Sequence, residues 1–284
     1  MKKINSKNKF KKAGDGLKLF LAGMLVIGLF SIGCGGDDGG GGDNIDGNVI
    51  KASGYMIDDT PGLDGLSKYV LSYNSDGSLK ETAAYSKTGQ KMSYEIYNDW
   101  MSDLPNLPVK SGESYLSLSI LGIPGMADEL LATVAMTYTG NNLIRVENTL
   151  ESSIYSALYG MPIGTIYGYS DHTYTGSNIA TTVTYTPLSA SGVPPYTIKK
   201  ATEITYHYDV VNNRRSGSTK TDYGFSGAPT IVTEYAREYN GDGTIKKSVG
   251  TVKDAATSTV LGYTTFTFYY KAGLPTYGMD LYPF

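Results

Sequence analysis

The sequence contains one cysteine, one tryptophan and two histidines among its 284 residues. A single cysteine excludes an intramolecular disulfide framework, a thiolate zinc site and an iron–sulfur cluster within one chain. Two histidines leave little for a histidine-rich metal centre, and we predict no metal and no cofactor. Charged residues make up only 18% of the chain and hydrophobic residues 40%, which excludes both a disordered polyelectrolyte and a multispanning membrane protein.

The first 33 residues have the pattern of an export signal. Residues 1–18 hold seven lysines and one acidic residue, Asp15, and an apolar stretch follows from Leu19 to Gly33. That stretch is shorter than the roughly 20 residues that a helix needs to cross a bilayer. A basic segment followed by a short apolar segment is typical of a secretory signal. We therefore predict that residues 1–33 are a signal peptide.

The only cysteine lies directly behind this apolar stretch, in the sequence Ser31-Ile32-Gly33-Cys34. Small residues before a cysteine at this place resemble the lipobox of bacterial lipoproteins. The resemblance implies diacylglyceryl transfer to the Cys34 thiol, cleavage between Gly33 and Cys34 by the lipoprotein signal peptidase, and N-acylation of the new terminus. Two or three acyl chains on one residue make release from a bilayer slow, so the lipid bilayer is the one partner we expect through Cys34.

A glycine- and aspartate-rich segment, residues 34–48, follows the predicted cleavage site. Glycine loses more backbone entropy on ordering than any other residue, so we expect this segment to act as a flexible tether. Gly35 stands where an aspartate often retains lipoproteins in the inner membrane of enteric-type bacteria. The resemblance to lipoproteins therefore implies the outer membrane, and it leaves open the periplasmic face or the cell surface.

The predicted mature chain is acidic. Removal of residues 1–33 takes away seven lysines and one aspartate from 24 basic and 27 acidic residues, which leaves 17 and 26. A net charge of about −9 disfavours nucleic acid and anionic lipid headgroups as partners.

From residue 49 onward, the chain consists of short alternating segments rich in tyrosine and punctuated by turn residues. Residues 69–80 and 235–246 share the pattern Y-x-x-x-Y-N-x-D-G-[S/T]-[L/I]-K. Asp-Gly supplies the positive φ angle that tight hairpins require. The pattern predicts two hairpin turns, formed by Asn74, Asp76 and Gly77 and by Asn240, Asp242 and Gly243.

Sustained helical periodicity is nearly absent, although residues 126–131 and 150–158 are compatible with short helices. We therefore predict one all-β domain over residues 49–284. We expect an antiparallel meander of about ten strands, forming an extended or curved open sheet with at most one or two short helices. The sequence does not decide whether that sheet closes into a barrel.

The tyrosine–Asn–x–Asp–Gly hairpins are similar to the YD/RHS-type repeats of bacterial surface and secreted proteins. The resemblance rests on the two copies quoted above, and it implies a body built from β-hairpin repeats. A second, fold-level likeness is to the curved sheets of periplasmic lipoprotein carriers, which suggests a carrier of an apolar ligand as an alternative function.

Histidine lies near a carboxylate at two places, Asp171-His172 and His207-Tyr208-Asp209. Neighbouring residues of a strand point to opposite faces, so Asp171 and His172 are not expected to act together. The sequence contains no G-x-S-x-G or S-x-x-K motif for a nucleophile. The Asp-Gly turns lack the bidentate acid of a calcium loop. We predict no catalytic residues and no enzyme activity.

Aromatic residues two positions apart share one face of a strand. Such rows are Tyr206 with Tyr208, and Phe266 with Phe268 and Tyr270. These five residues form either a ligand surface or cross-strand packing, and Tyr167 with Tyr169 is a similar pair. We expect a non-catalytic binding or structural role in the cell envelope, with an unknown envelope protein, glycan or apolar ligand as partner. An apolar-ligand carrier and an enzyme of unidentified type are the two alternatives.

Overall fold

The computed structural model describes residues 54–58, 66–75, 78–86, 89–100, 109–117, 128–189, 196–211 and 214–270, with the backbone alone at 54–58 and 66–67. The predicted signal peptide, Gly33, Cys34 and the tether lie outside these residues, and so do Asp76 and Gly77 of the first predicted turn.

Fourteen strands and one helix occur in the described part of the chain. In order they are β1 (Gly54–Asp58), β2 (Leu66–Tyr73), β3 (Leu79–Ser86), β4 (Lys91–Trp100), β5 (Val109–Leu116), β6 (Glu129–Thr139), β7 (Asn142–Leu150), α1 (Ser153–Tyr159), β8 (Ile166–Thr175), β9 (Asn178–Leu188), β10 (Thr197–Asp209), β11 (Arg214–Tyr223), β12 (Pro229–Tyr239), β13 (Ile245–Asp254) and β14 (Val260–Tyr269).

The strands from β2 to β14 form one antiparallel meander, in which each strand pairs with the next along the chain. The prediction of an all-β antiparallel meander is confirmed, with more strands than the ten or so expected. One source of extra strands is a turn without Asn-Gly or Asp-Gly, such as the β8–β9 connection, where Gly176 adopts a φ of 65°.

The short strand β1 joins the two edges of this thirteen-strand sheet. Its Tyr55 lies opposite Tyr269 of β14 on one side and opposite Val70 of β2 on the other. The strand order is therefore that of a closed barrel. The sequence left this closure undecided, because a five-residue strand that pairs with both ends of the domain carries no local signal of its own.

The helix α1 forms where the second helical window was predicted. The Ser152 hydroxyl accepts a hydrogen bond from the Tyr155 amide at 3.1 Å, and Gly160 ends the helix in the left-handed conformation with a φ of 64°. The other window, residues 126–131, is wrong as a helix from Glu129 onward, because those residues begin β6 and pair with β5. No helix among the described residues is long and apolar enough to cross a membrane.

Apolar side chains from β2 to β7 pack against those of β13 and β14. We call this cluster the apolar half of the interior. Its buried members include Leu71, Tyr97, Val134, Leu143, Val146, Ile245, Phe266 and Phe268. A second cluster, the cap cluster, joins Tyr155 and Tyr159 of α1 to buried residues of β4 to β8, among them Met92, Leu131, Leu150 and Tyr167.

Candidate functional site

The strands on either side of β8 to β12 bury mostly apolar side chains, whereas β8 to β12 themselves bury, beside Tyr167, Ile179 and Ile204, mostly polar ones. We call these polar side chains, together with Asn148 of β7, the polar half of the interior. Its members are Asn148, Ser170, His172, Thr182, Thr184, Thr202, Arg215, Ser218, Thr233 and Arg237, each at most 9% exposed.

Within the polar half, hydroxyl groups face one another across adjacent strands. Ser170 lies opposite Thr184, and their hydroxyl oxygens are 3.0 Å apart. Thr184 in turn lies opposite Thr202 of β10. One step along the same strands, the Nδ1 atom of His172 lies 2.8 Å from the Thr182 hydroxyl oxygen. The result is a row of short polar side chains across three strands.

The row ends on the partly buried side chain of Tyr206, whose hydroxyl lies 3.2 Å from that of Thr182. The guanidinium of Arg215 stacks over the Tyr206 ring, with its Cζ atom 4.3 Å from the ring centroid. This cation–π contact occupies one face of the Tyr206 ring. At Tyr206, the polar half therefore meets a side chain that is partly exposed to solvent.

Several buried polar atoms in this region have no hydrogen-bond partner among the described residues. They are both amide atoms of Asn148, Nε2 of His172 and Oγ1 of Thr202. An unsatisfied buried donor or acceptor costs about 1–3 kcal/mol. Native interiors contain few such atoms, and departures from this rule concentrate at functional sites. We take Asn148, His172 and Thr202 as the candidate site and call them the unpaired trio.

The polar half contains the buried side chains of Arg215 and Arg237, but the three members of the trio are themselves uncharged at pH 7. Burial lowers the pKa of the His172 imidazole to about 4, and no charged group contributes to that shift. The imidazole is therefore neutral at pH 7, and either ring nitrogen can carry its proton. The nearby lysine of the polar face, Lys220, forms an ion pair with Asp222 at 2.8 Å. The side chains of the trio can thus donate and accept hydrogen bonds without carrying a charge themselves.

The two histidine–carboxylate pairs of the sequence have separate partners. Asp171 points away from the buried face and accepts a hydrogen bond from Arg145 at 3.1 Å, whereas His172 is buried. Nε2 of His207 lies 2.9 Å from the Thr219 hydroxyl, and Asp209 accepts from the Val211 amide at 2.8 Å. Among the described residues, no group of three or more acids, histidines or cysteines is placed to hold a metal ion.

The predicted aromatic rows lie in different environments. Phe266 and Phe268 are 6% and 5% exposed within the apolar half, and Tyr270 packs against it. The rings of this row are therefore used in packing, which is the second of the two roles expected for it. Tyr206 and Tyr208, in contrast, are partly buried on β10 beside the polar half.

The second predicted turn joins β12 to β13. Asn240 and Thr244 bond through their backbones at 2.8 Å, and Gly243 has a φ of 86°. Asp242 accepts from the hydroxyl and the amide of Thr244, which lowers the pKa of its carboxyl group. In the first turn, the Asn74 side chain donates to the Ser78 hydroxyl at 2.8 Å, as that of Asn240 does to Thr244 at 2.9 Å.

Sequence reasoning missed Asn148 and Thr202. Alternating polar residues on a strand are the pattern of a solvent-facing side, so Thr182, Thr184 and Thr202 were not distinguished from surface threonines. The only available signal was that these threonines alternate with residues that are themselves polar or aromatic, as in the segment T-T-V-T-Y-T of β9.

No protein-family model and no curated protein matches this chain. Among solved structures, the chain is similar to those of TcdB2-TccC3-TEV and TcdB2-TccC3, each at 12% identity and a TM-score of 0.25. The match covers 68% of this chain and 13% of those chains. A porin-like protein from Bacteroides uniformis ATCC 8492 matches at 9% identity and a TM-score of 0.21, over 79% of this chain and 98% of its own. With TM-scores this low, none of these similarities supports a statement about function.

Proposed function

We propose that this chain is a lipid-anchored outer-membrane protein whose β domain has a non-catalytic binding or structural role in the cell envelope. The observation that carries the proposal is the position of the only cysteine, Cys34, directly behind a basic and then apolar amino-terminal segment. Acylation there would attach the domain to a bilayer through several buried chains.

The distance between the anchor and the domain fits this role. Strand β1 begins at Gly54, so 19 residues, 35–53, separate Cys34 from the first strand that the structure describes. A glycine-rich coil of that length has an end-to-end distance of about 25 Å. The β domain would then stand clear of the headgroups and be free to meet a partner.

The interior supports a binding role for a polar rather than an apolar partner. The apolar half is filled by the protein's own side chains, with Leu71 and Leu143 fully buried. An apolar ligand would therefore compete with the packing that stabilises the domain, which gives the carrier alternative less support. The polar half, in contrast, presents donors and acceptors that the described chain leaves unused.

The anchor is tested by replacing its thiol. Cys34→Ala should move the protein from the detergent-extracted membrane fraction to the soluble fraction, because no acyl chain can be attached. Gly36→Ala, which alters the same segment and keeps the thiol, should stay in the membrane fraction. Continued membrane association of the Cys34→Ala protein would show that the lipid anchor is absent or unnecessary.

The face of the membrane is tested by protease accessibility. Digestion of the β domain on intact cells would place it at the surface and direct the search toward glycans and host proteins. Protection until the outer membrane is permeabilised would place it in the periplasm and direct the search toward envelope partners.

A further inference from the structure

We propose that the unpaired trio, Asn148, His172 and Thr202, is a binding site for a neutral, hydroxyl-rich ligand, a short stretch of uncharged glycan. This inference rests on the proposed binding role and names the ligand class. Its first support is that the trio is buried and unsatisfied, with side chains at most 8% exposed. A folded chain that leaves four polar atoms unpaired in one region gives up stability there, as binding sites do.

The chemistry of the unpaired atoms selects a neutral ligand. The Asn148 amide offers donors at Nδ2 and an acceptor at Oδ1, and the Thr202 hydroxyl both donates and accepts. A carboxylate or a phosphodiester only accepts, and an ammonium group only donates, so neither satisfies both atoms of one amide. A hydroxyl group does both. No charged group contributes to the pKa shift of His172, so this ring adds hydrogen-bonding atoms and no charge.

The spacing of the trio selects an extended ligand. Asn148 lies on β7 and Thr202 on β10, three strand-to-strand steps apart around the sheet. Adjacent strands are about 4.8 Å apart, so the backbones at the two residues are about 14 Å apart along the sheet. Ser170 and Thr184 lie between them, already bonded to each other at 3.0 Å. One sugar ring does not bridge that distance, whereas several linked rings present hydroxyls along it.

The route to the trio passes Tyr206. Its hydroxyl contacts Thr182 of the same row, and its side chain is only partly buried. The unpaired atoms themselves are not exposed to solvent, so the side chains that cover them must move locally when the ligand enters. Association should therefore be slower than the 10⁵–10⁷ M⁻¹s⁻¹ that is typical for preformed protein surfaces.

The test is a glycan array with neutral and acidic glycans, probed with the detergent-solubilised full-length protein. We expect retention on neutral glycans, about tenfold weaker binding by Thr202→Val, and a larger loss with Asn148→Leu, which removes two hydrogen-bonding atoms. Thr205→Val is the matched control, because Thr205 lies on the same strand and is exposed. It should bind as the unaltered protein does.

Three results would overturn the inference: retention on acidic glycans alone, no retention on any glycan, or equal binding by all variants. In the second case the unpaired atoms are satisfied by internal water alone. None of these results bears on the membrane anchor, because Cys34→Ala fractionation does not involve the interior. Failure of this inference is therefore distinguishable from failure of the proposed function.

Discussion

Strand β7 contributes to both halves of the interior and allows them to be compared within one element. Leu143 belongs to the apolar half and Asn148 to the polar half, and both side chains are fully buried. Leu143 belongs to a packed cluster of apolar residues from β2 to β7, β13 and β14. Around Asn148, neither the amide nitrogen nor the amide oxygen finds a partner among the described residues.

The difference indicates a division of labour inside one closed sheet. Burial of an apolar side chain stabilises the fold by about 1.5–3 kcal/mol, whereas an unsatisfied buried amide reduces stability. The apolar half therefore stabilises the sheet, whereas the polar half contains polar groups that do not contribute to stability. Each of the following predictions alters one half of the interior or the turn that joins the two halves.

The largest effect is expected from the apolar half. Leu143→Ala removes a fully buried side chain from the cluster and should lower the free energy of unfolding by about 3 kcal/mol. Urea unfolding of the full-length protein in detergent measures this change. Thr184→Ala, a buried truncation in the polar half, should cost clearly less. Equal losses of unfolding free energy from the two variants would contradict the conclusion that the apolar half stabilises the fold more than the polar half does.

His172 gives the polar half a pH dependence. Its pKa is about 4 in the folded state and about 6.5 when unfolded, so the unfolded chain binds more protons between these values. Stability should be complete above about pH 6.5, fall as the pH drops, and lose about 3 kcal/mol from this group by pH 4.

Carboxylates also titrate near the lower end of that range, so the measurement is a difference between two proteins. His172→Asn keeps a polar atom near the Thr182 hydroxyl and does not titrate. The unfolding free energy of the variant should fall less between pH 6.5 and 4 than that of the unaltered protein. Parallel curves would mean that His172 is accessible to protons in the folded state.

Asn148→Leu should raise the stability of the fold, whereas most core substitutions lower it. Leucine has the same branched outline and no polar atoms, so the variant should be more stable by about 1 kcal/mol, because two unsatisfied atoms are removed. The melting temperature of the ligand-free protein measures the change. A loss of stability would show that the amide has hydrogen-bond partners and that the trio is not a ligand-binding site.

The sequence predicted the strands and turns because their signals are local. The Asn240 to Gly243 turn follows from Asp-Gly, and the opposite directions of Asp171 and His172 follow from strand alternation. The expected alternation of inward and outward side chains does not hold at Tyr167 and Tyr169, which were expected to share one face of the strand. The β7–β8 pairing shifts between Asn148 and Thr149, so Tyr167 is an extra residue that turns inward while Tyr169 stacks on Tyr185 at 4.5 Å.

The polar half was not predictable from the sequence for a different reason. Thr182, Thr184 and Thr202 have the alternation of a solvent-facing side, yet they are buried in the structure, in which β1 closes the sheet. That closure pairs Tyr55 with Tyr269, two residues at opposite ends of the domain. No local pattern encodes such a contact, so the candidate site depends on the step that sequence reasoning left undecided.

The smallest expected effect tests whether the two halves unfold together. The turn at Gly243 joins β12, which carries Arg237 of the polar half, to β13, which carries Ile245 of the apolar half. A Cβ atom at Gly243 would meet nothing within 4 Å, so substitution there costs only backbone strain at a φ of 86°. Gly243→Val should cost about 1 kcal/mol, and Gly243→Asn less, since asparagine tolerates positive φ.

The slope of the urea curve then separates two structural possibilities. If the halves form one cooperative unit, Gly243→Val lowers the midpoint and leaves the slope unchanged, because the same surface is exposed in one step. If the turn is the weak link between them, the slope falls, because the polar half opens before the apolar half. A single transition of unchanged slope would mean that the apolar half stabilises the unpaired trio as part of the same folding unit.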